Sequence, residues 1–417
     1  MNRKRALLLG AAGLAGAGAL AAWRYWPEQG FWNPCLAGLP RRLITHELVK
    51  AAWEGLDPEK VWDAHSHLVG AGDSASGIYV NPRMESVFSP SHYARRLFFL
   101  NAGCAYRSQG GMDEAYVARI LNLLDGMKRG TKLVLFAFDR AHTEDGKRDL
   151  EHTAFYIPDA YVRETAREHP RVFEWACSIH PYRPDCVEAL EQAKKEGARA
   201  VKWLPAAMNI DPASPRCDRF YAAAARLGVP VTSHAGLERA VLGGDQHYGN
   251  PLRLRRALDA GVRVVVAHCA SMGQDRDLDK GENGPLTDSF SLFARLMENK
   301  KYEKHLFGDI SAMTQVNRAG PALVQVIERS EWHPRLLNGS DYPLPGIMPL
   351  FSVDYMVSLG LLPESAAPVL KEIRSYNPLL FDFVLKRNLR SGRTSATAGK
   401  ALSASVFETR NFFDSRT

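Results

Sequence analysis

Val61-Trp62-Asp63-Ala64-His65-Ser66-His67 ends an apolar run on two histidines set two residues apart. On a β-strand such residues point to the same side, so both imidazoles can face one cation from a single strand end. The 13 histidines of this 417-residue chain would give roughly 0.4 such pairs by chance, so the pair needs support from elsewhere. Four later segments supply it, each a β-like apolar run closing on a residue fit to bind or activate a metal. They are Ala200-Val201-Lys202, Val229-Pro230-Val231-Thr232-Ser233-His234, Val264-Val265-Val266-Ala267-His268 and Leu336-Leu337-Asn338-Gly339-Ser340-Asp341.

Around these segments the chain repeats one rhythm of short strand, loop and helix. The apolar runs predict strands at 61–65, 132–138, 172–179, 198–204, 230–234, 263–268, 305–310 and 335–339. Helical patterns at 187–196, 216–227 and 252–260 stop at Gly197, Gly228 and Gly261, where a helix commonly ends in a left-handed residue. Eight strands alternating with helices imply a parallel sheet with right-handed crossovers, and at this size the expected architecture is a closed (β/α)8 barrel. Catalytic groups in such barrels gather at the carboxyl ends of the strands. All the polar residues above fall there.

Composition, 46% hydrophobic and 24% charged, suits a soluble domain with a sizeable core. The net charge of +7 is carried by the two ends: +4 over the first 24 residues and +5 from Lys386 onward, leaving −2 between. A nearly neutral body argues against nucleic-acid binding. Arg3-Lys4-Arg5 followed by an apolar stretch to Trp23 reads as a signal peptide or a membrane anchor, the two left open. The expected location is therefore outside the cytoplasm, in the periplasm or anchored in a bacterial inner membrane. The organisation read from the sequence is a leader or anchor at 1–26, an extension at 27–59, the barrel at 60–385 and a basic flexible tail at 386–417, in which 406–413 is apolar enough to dock back. Six cysteines show no metal-binding spacing and no dense framework, so pairing cannot be assigned and most are expected to be buried apolar residues.

From Lys60 to Leu385 the chain resembles the amidohydrolase superfamily, in its amidohydrolase-related branch. The resemblance rests on His65-Ser66-His67 on the first strand, His234 on the fifth, His268 on the sixth and Asp341 in Gly339-Ser340-Asp341-Tyr342-Pro343 on the eighth. It implies that His65, His67, His234 and Asp341 hold a catalytic divalent metal, most often zinc, and that His268 polarises substrate or binds a second ion. Lys202 stands where dinuclear members carry a carboxylated lysine bridging two metals. One ion or two stays open, as does a role for Lys202 as a plain cation.

Zinc accepts imidazole nitrogens and a carboxylate oxygen and lowers the pKa of a water toward about 7. Asp341 could then act as general base, and His268 could stabilise the oxyanion. Asp63 is expected to support the site or cap its strand. His180, Arg183 and Asp309, at the third and seventh strand ends, are candidates for substrate contact. The long segment 68–132 carries Tyr79, Arg83, Arg95, Arg96, Tyr106 and Arg107, reads as a lid or binding loop with an added helix at 90–101, and hints at an anionic substrate. The expected activity is metal-dependent hydrolysis of an amide, ester or lactone of a small molecule. The alternatives are metal-dependent decarboxylation and an exported binding protein without turnover. A homodimer is also left open.

Overall fold

The computed structural model describes residues 27–106, 108, 110–241, 244–392 and 399–415. Eight parallel strands form the barrel: β1 (Trp62–His67), β2 (Lys132–Phe136), β3 (Phe173–Ala176), β4 (Val201–Trp203), β5 (Val231–His234), β6 (Val264–Ala267), β7 (Leu306–Asp309) and β8 (Leu336–Leu337). Each lies within or beside a run read as a strand from the sequence. β1, β2 and β3 are paired in that order, and β4 to β8 form a second run. Two seams close the circle. Cys177 bridges to Val201 between β3 and β4, and Ser66 bridges to Tyr342 between β1 and the segment after β8.

The second seam shapes the site. Ala64 N–H donates to Asn338 O at 3.0 Å, and Asp341 N–H donates to His65 O at 2.8 Å. Gly339 is required here, because a Cβ at that position would stand 2.5 Å from Cβ of His65. Asp63, half-buried on the same seam, accepts from the backbone N–H groups of His65 and Ser340 at 3.1 and 2.8 Å, the supporting role expected of it. The β1–β2 register is irregular between Asp63 and Ser66, a local irregularity of the kind that re-aims side chains beside active sites.

Outer helices pack on the strands through their apolar faces. Asp218–Leu227 buries Phe220, Tyr221, Ala223 and Ala224 and ends at Gly228, whose φ of 62° is the left-handed stop expected. The pattern read as a helix at 252–260 begins instead as a 3-10 turn, Pro251–Leu254, before the α-helix Arg255–Asp259. Pro251 lacks the N–H an α-helix interior needs, so the turn starts there.

Part of the segment read as a flexible tail is docked. Ala404–Phe407 and Arg410–Asp414 are helical and cover the amino ends of the strands. Phe412 meets Phe307 with ring centroids 4.7 Å apart, Arg263 donates to Phe412 O at 3.0 Å, and Thr409 donates to Trp62 O. Residues 393–398 lie outside the described residues.

At the opposite end, the long segment after β1 contributes the helix Pro90–Ala102, close to the bounds read from the sequence. Cys104 just beyond it forms a disulfide with Cys35 of the extension, while Cys177, Cys186, Cys217 and Cys269 are free and buried. The fully buried Arg374 donates to the carbonyls of Pro345, Ile347, Met348 and Phe351. It thereby fixes the segment that follows Asp341. Residues 1–26, read as a leader or anchor, lie outside the described residues, as does Arg107. Among the described residues no helix is long and apolar enough to cross a membrane.

Candidate metal centre

At the carboxyl ends of β1 and β8, three side-chain atoms converge. Nε2 of His65 and Nε2 of His67 are 3.2 Å apart. Oδ1 of Asp341 lies 3.4 Å from the first and 3.2 Å from the second. A tetrahedral ion with ligands at about 2.0–2.2 Å sets neighbouring ligands roughly 3.3–3.5 Å apart. The triangle therefore fits a divalent metal such as zinc, and its donor set, two imidazoles and a carboxylate, is one that such an ion accepts.

The tautomer of His65 is set from behind. Its Nδ1 donates to Oδ2 of Asp309 at 2.9 Å, which leaves Nε2 with its lone pair toward the triangle. A carboxylate behind a ligating imidazole fixes the ring and raises its basicity. Asp309 is fully engaged in this way: its Oδ1 also accepts from the backbone N–H groups of His268 and Ser311, each at 3.0 Å, and from the Ser311 hydroxyl. It was a candidate for substrate contact, but the structure places it behind His65, 1% exposed and away from the cavity wall.

Asp341 and His268 both have left-handed backbones, with φ of 58° and 56°. Such conformations in residues other than glycine cluster at functional sites. Burial favours the neutral form of Asp341, yet electrostatic attraction to the His65 and His268 rings and a hydrogen bond with His67 outweigh it and hold its carboxyl well below the usual range. Burial also pushes the His67 imidazole down to about 4, against the pull of Asp341. Both residues are thus in the protonation states that metal ligands need.

His268 enters the site with a defined tautomer too. Its Nδ1 lies 3.0 Å from Ser311 O, an atom that only accepts, so Nδ1 carries the proton and Nε2 is bare. Nε2 stands 3.7 Å from Oδ2 of Asp341. In its neutral form this ring can accept a proton or bind a cation; the oxyanion role expected from the sequence requires the protonated ring.

Lys202, 2% exposed, brings its Nζ to 3.1 Å from Nε2 of His65. Burial lowers its pKa from the ordinary lysine value. His234 lines the same cavity but stands outside the converging groups of ligand atoms. Its Nε2 faces Oε2 of Glu238 at 3.2 Å, misaligned for a hydrogen bond and without another partner among the described residues. His180 and Arg183 do not reach the cavity: His180 is tied to Met208 O at 2.9 Å, and Arg183 pairs with Asp139 and Asp185.

The cavity over the centre has a volume of about 320 Å³. Its walls are largely apolar and include Phe98 and Phe99 from the helix Pro90–Ala102 together with Phe138 and Phe155. Arg95 and Arg96 of the same helix also line it, so the long segment does form a wall of the site. Glu238 and Arg318 line it as well and were not singled out in the sequence. For Glu238 the signal was its position four residues after His234; for Arg318 there was none.

The sequence pattern of the family described as amidohydrolase matches residues 62–347, which span the barrel from β1 to just beyond Asp341. The chain belongs to the amidohydrolase family. Membership places it among enzymes of the metal-dependent type. Among solved structures, this amidohydrolase is similar to an uncharacterised TIM-barrel protein from Bordetella bronchiseptica, at 15% identity over 79% of this chain and 99% of that one, with a TM-score of 0.46. It is also similar to a putative 2-pyrone-4,6-dicarboxylic acid hydrolase from Pseudomonas putida, at 14% identity over 78% and 97%, with a TM-score of 0.42. A third is 5-carboxyvanillate decarboxylase from Novosphingobium aromaticivorans with bound manganese, at 11% identity over 79% and 99%, with a TM-score of 0.42. Similarity at this level carries nothing about a shared reaction. No curated protein matches the sequence.

Proposed function

We propose that this amidohydrolase is a zinc-dependent hydrolase that cleaves an amide, ester or lactone bond of a small molecule. The observation that carries the reading is the triangle of His65, His67 and Asp341, with edges of 3.2–3.4 Å. A divalent ion held there supplies Lewis acidity and activates water near neutral pH.

The residues do the rest. Asp309 holds His65 in the tautomer that presents Nε2. Oδ2 of Asp341, pointing away from the triangle toward His268, takes the proton of the attacking water and returns it to the leaving group. His268, with its bare Nε2, is the second proton acceptor in reach. The apolar walls keep bulk water from the carbonyl, which strengthens every charge interaction inside. Lys202 as an ammonium donates to Nε2 of His65 and competes with a metal for that lone pair; carboxylated, it becomes an anionic ligand.

Elemental analysis of protein purified without chelators tests the reading. Two equivalents of metal per chain support a bridged centre that uses Lys202, and one supports a single ion. None, even after zinc is added, would overturn the proposal. With a substrate in hand, oxygen from labelled water must appear in the product. Carbon dioxide released without that oxygen would replace hydrolysis by decarboxylation.

We further propose that the protein works outside the cytoplasm. The basic-then-apolar start of the chain and the Cys35–Cys104 disulfide support this, since such bonds persist in oxidising compartments. Recovery of the protein from the cytoplasm with both thiols reduced would count against it.

A further inference from the structure

Arg318 follows β7 by nine residues and lines the same cavity as the metal triangle. It is 9% exposed, and its Nε and Nη1 have no hydrogen-bond partner among the described residues. From the same loop, Gln315, 4% exposed and also on the cavity wall, leaves its Nε2 without a partner. Of the other arginines on this wall, Arg95 donates to Arg239 O at 3.0 Å and Arg96 pairs with Glu85 at 3.2 Å, although its Nε also lacks a partner among the described residues; Arg318 differs in standing beside a second unpartnered donor, Gln315. Glu238 is near enough to act on Arg318 as a charge, but it makes no hydrogen bond to the guanidinium, and its Oε1 accepts instead from the backbone N–H groups of Ala240 and Val241.

A guanidinium does not shed its proton, and withdrawing it from water without a partner is strongly unfavourable. The donors on this loop are therefore arranged for something that arrives from the cavity and accepts hydrogen bonds. We propose that Arg318, assisted by Gln315, anchors a carboxylate of the substrate, whose remaining body is apolar and sits between Phe98, Phe99, Phe138 and Phe155. The planar fork of arginine matches the two oxygens of a carboxylate. A monoanion is specified because Asp341 and Glu238 line the same cavity and would repel a dianion such as phosphate more strongly. The cavity's walls supply the apolar burial, while Arg318 fixes which end of the molecule faces away from the reacting carbonyl. The proposal rests on the reading of this cavity as the active site.

The probe pair is benzoate and benzamide, alike in shape and different in charge. Calorimetric titration is performed on the protein as purified and again after a chelator has been applied and dialysed away, so that binding to a metal is separated from binding to Arg318. Benzoate is expected to bind at least about tenfold more tightly than benzamide in both states. Arg318→Met is expected to abolish that preference without lowering the melting temperature of the unliganded protein, because it removes a buried guanidinium whose Nε and Nη1 have no hydrogen-bond partner among the described residues. Arg318→Lys keeps the charge and loses the fork, and is expected to weaken benzoate by an intermediate factor. Equal binding of the two probes, a preference for benzoate seen only with metal present, or an Arg318→Lys protein that binds benzoate as wild type would each overturn the proposal. An Arg318→Met protein that melts lower and keeps the preference would do the same, making the guanidinium a structural part. Wild-type protein that takes up no metal but still binds benzoate through Arg318 would sink the hydrolase reading and leave this anchor standing.

Discussion

The Nε2 atoms of His65 and His67 face each other at 3.2 Å, while Nδ1 of His65 is committed to Asp309 at 2.9 Å. Two imidazole nitrogens that close need a proton or a cation between them. Asp309 therefore governs how well the pair holds a metal without touching it. Asp309→Asn keeps the shape and removes the charge, and is expected to weaken metal retention about 10–100-fold, read by competition with a chromogenic chelator. Retention equal to wild type would show that the tautomer of His65 is set by something else.

Asp341→Asn is expected to lower kcat by at least about a hundredfold on any substrate found by screening small esters, amides and lactones. Its circular dichroism spectrum should match that of wild type, since the backbone N–H of residue 341 still donates to His65 O. Turnover that survives the change would remove Asp341 from the proton-transfer role.

His180 makes a prediction about acid stability. Burial, and next the neighbouring His142, push its pKa well below the ordinary histidine value, whereas in the unfolded chain it titrates near about 6.5. Below that pH the unfolded chain takes up a proton that the folded one refuses, so the stability it contributes is present above about 6.5 and is lost as the pH falls. The slope is up to about 1.4 kcal/mol per pH unit. His180→Asn should flatten the fall in unfolding free energy between pH 7 and pH 5, measured in urea; equal slopes would mean that the buried ring takes a proton in the folded state.

Cys35 and Cys104 are 69 residues apart in sequence, and closing a loop of that length is worth about 2–4 kcal/mol. Replacing both by serine is expected to lower the urea midpoint by the corresponding amount. It should also loosen the helix Pro90–Ala102, which ends two residues before Cys104, visible as faster amide exchange there. A midpoint that does not move would mean that the extension is held by its other contacts alone.

The strands were legible because a fully buried parallel strand is a continuous β-branched run, as in Val264-Val265-Val266, and each ends on the residue that the barrel presents at its mouth. The histidines and Asp341 could be placed for the same reason. What a strand end cannot show is which nitrogen of a ring points where. His234 was expected beside His65 and His67, and its Nε2 instead faces Glu238. Asp309 sits at a strand end like the others, but backbone N–H groups from two neighbouring segments draw it behind the site. Arg318 lies in a loop without periodicity. Its importance comes from the partners it lacks, which appear only once the chain is folded.

The docked segment 404–415 closes the end of the barrel opposite the site. Phe412 packs with Ala64, Val265 and Leu337 in one cluster, so this helix is a stopper set among staves drawn from distant stretches of the chain. A cask built this way has a floor as well as a mouth: pulling the stopper would wet the staves from below without touching a single group at the mouth.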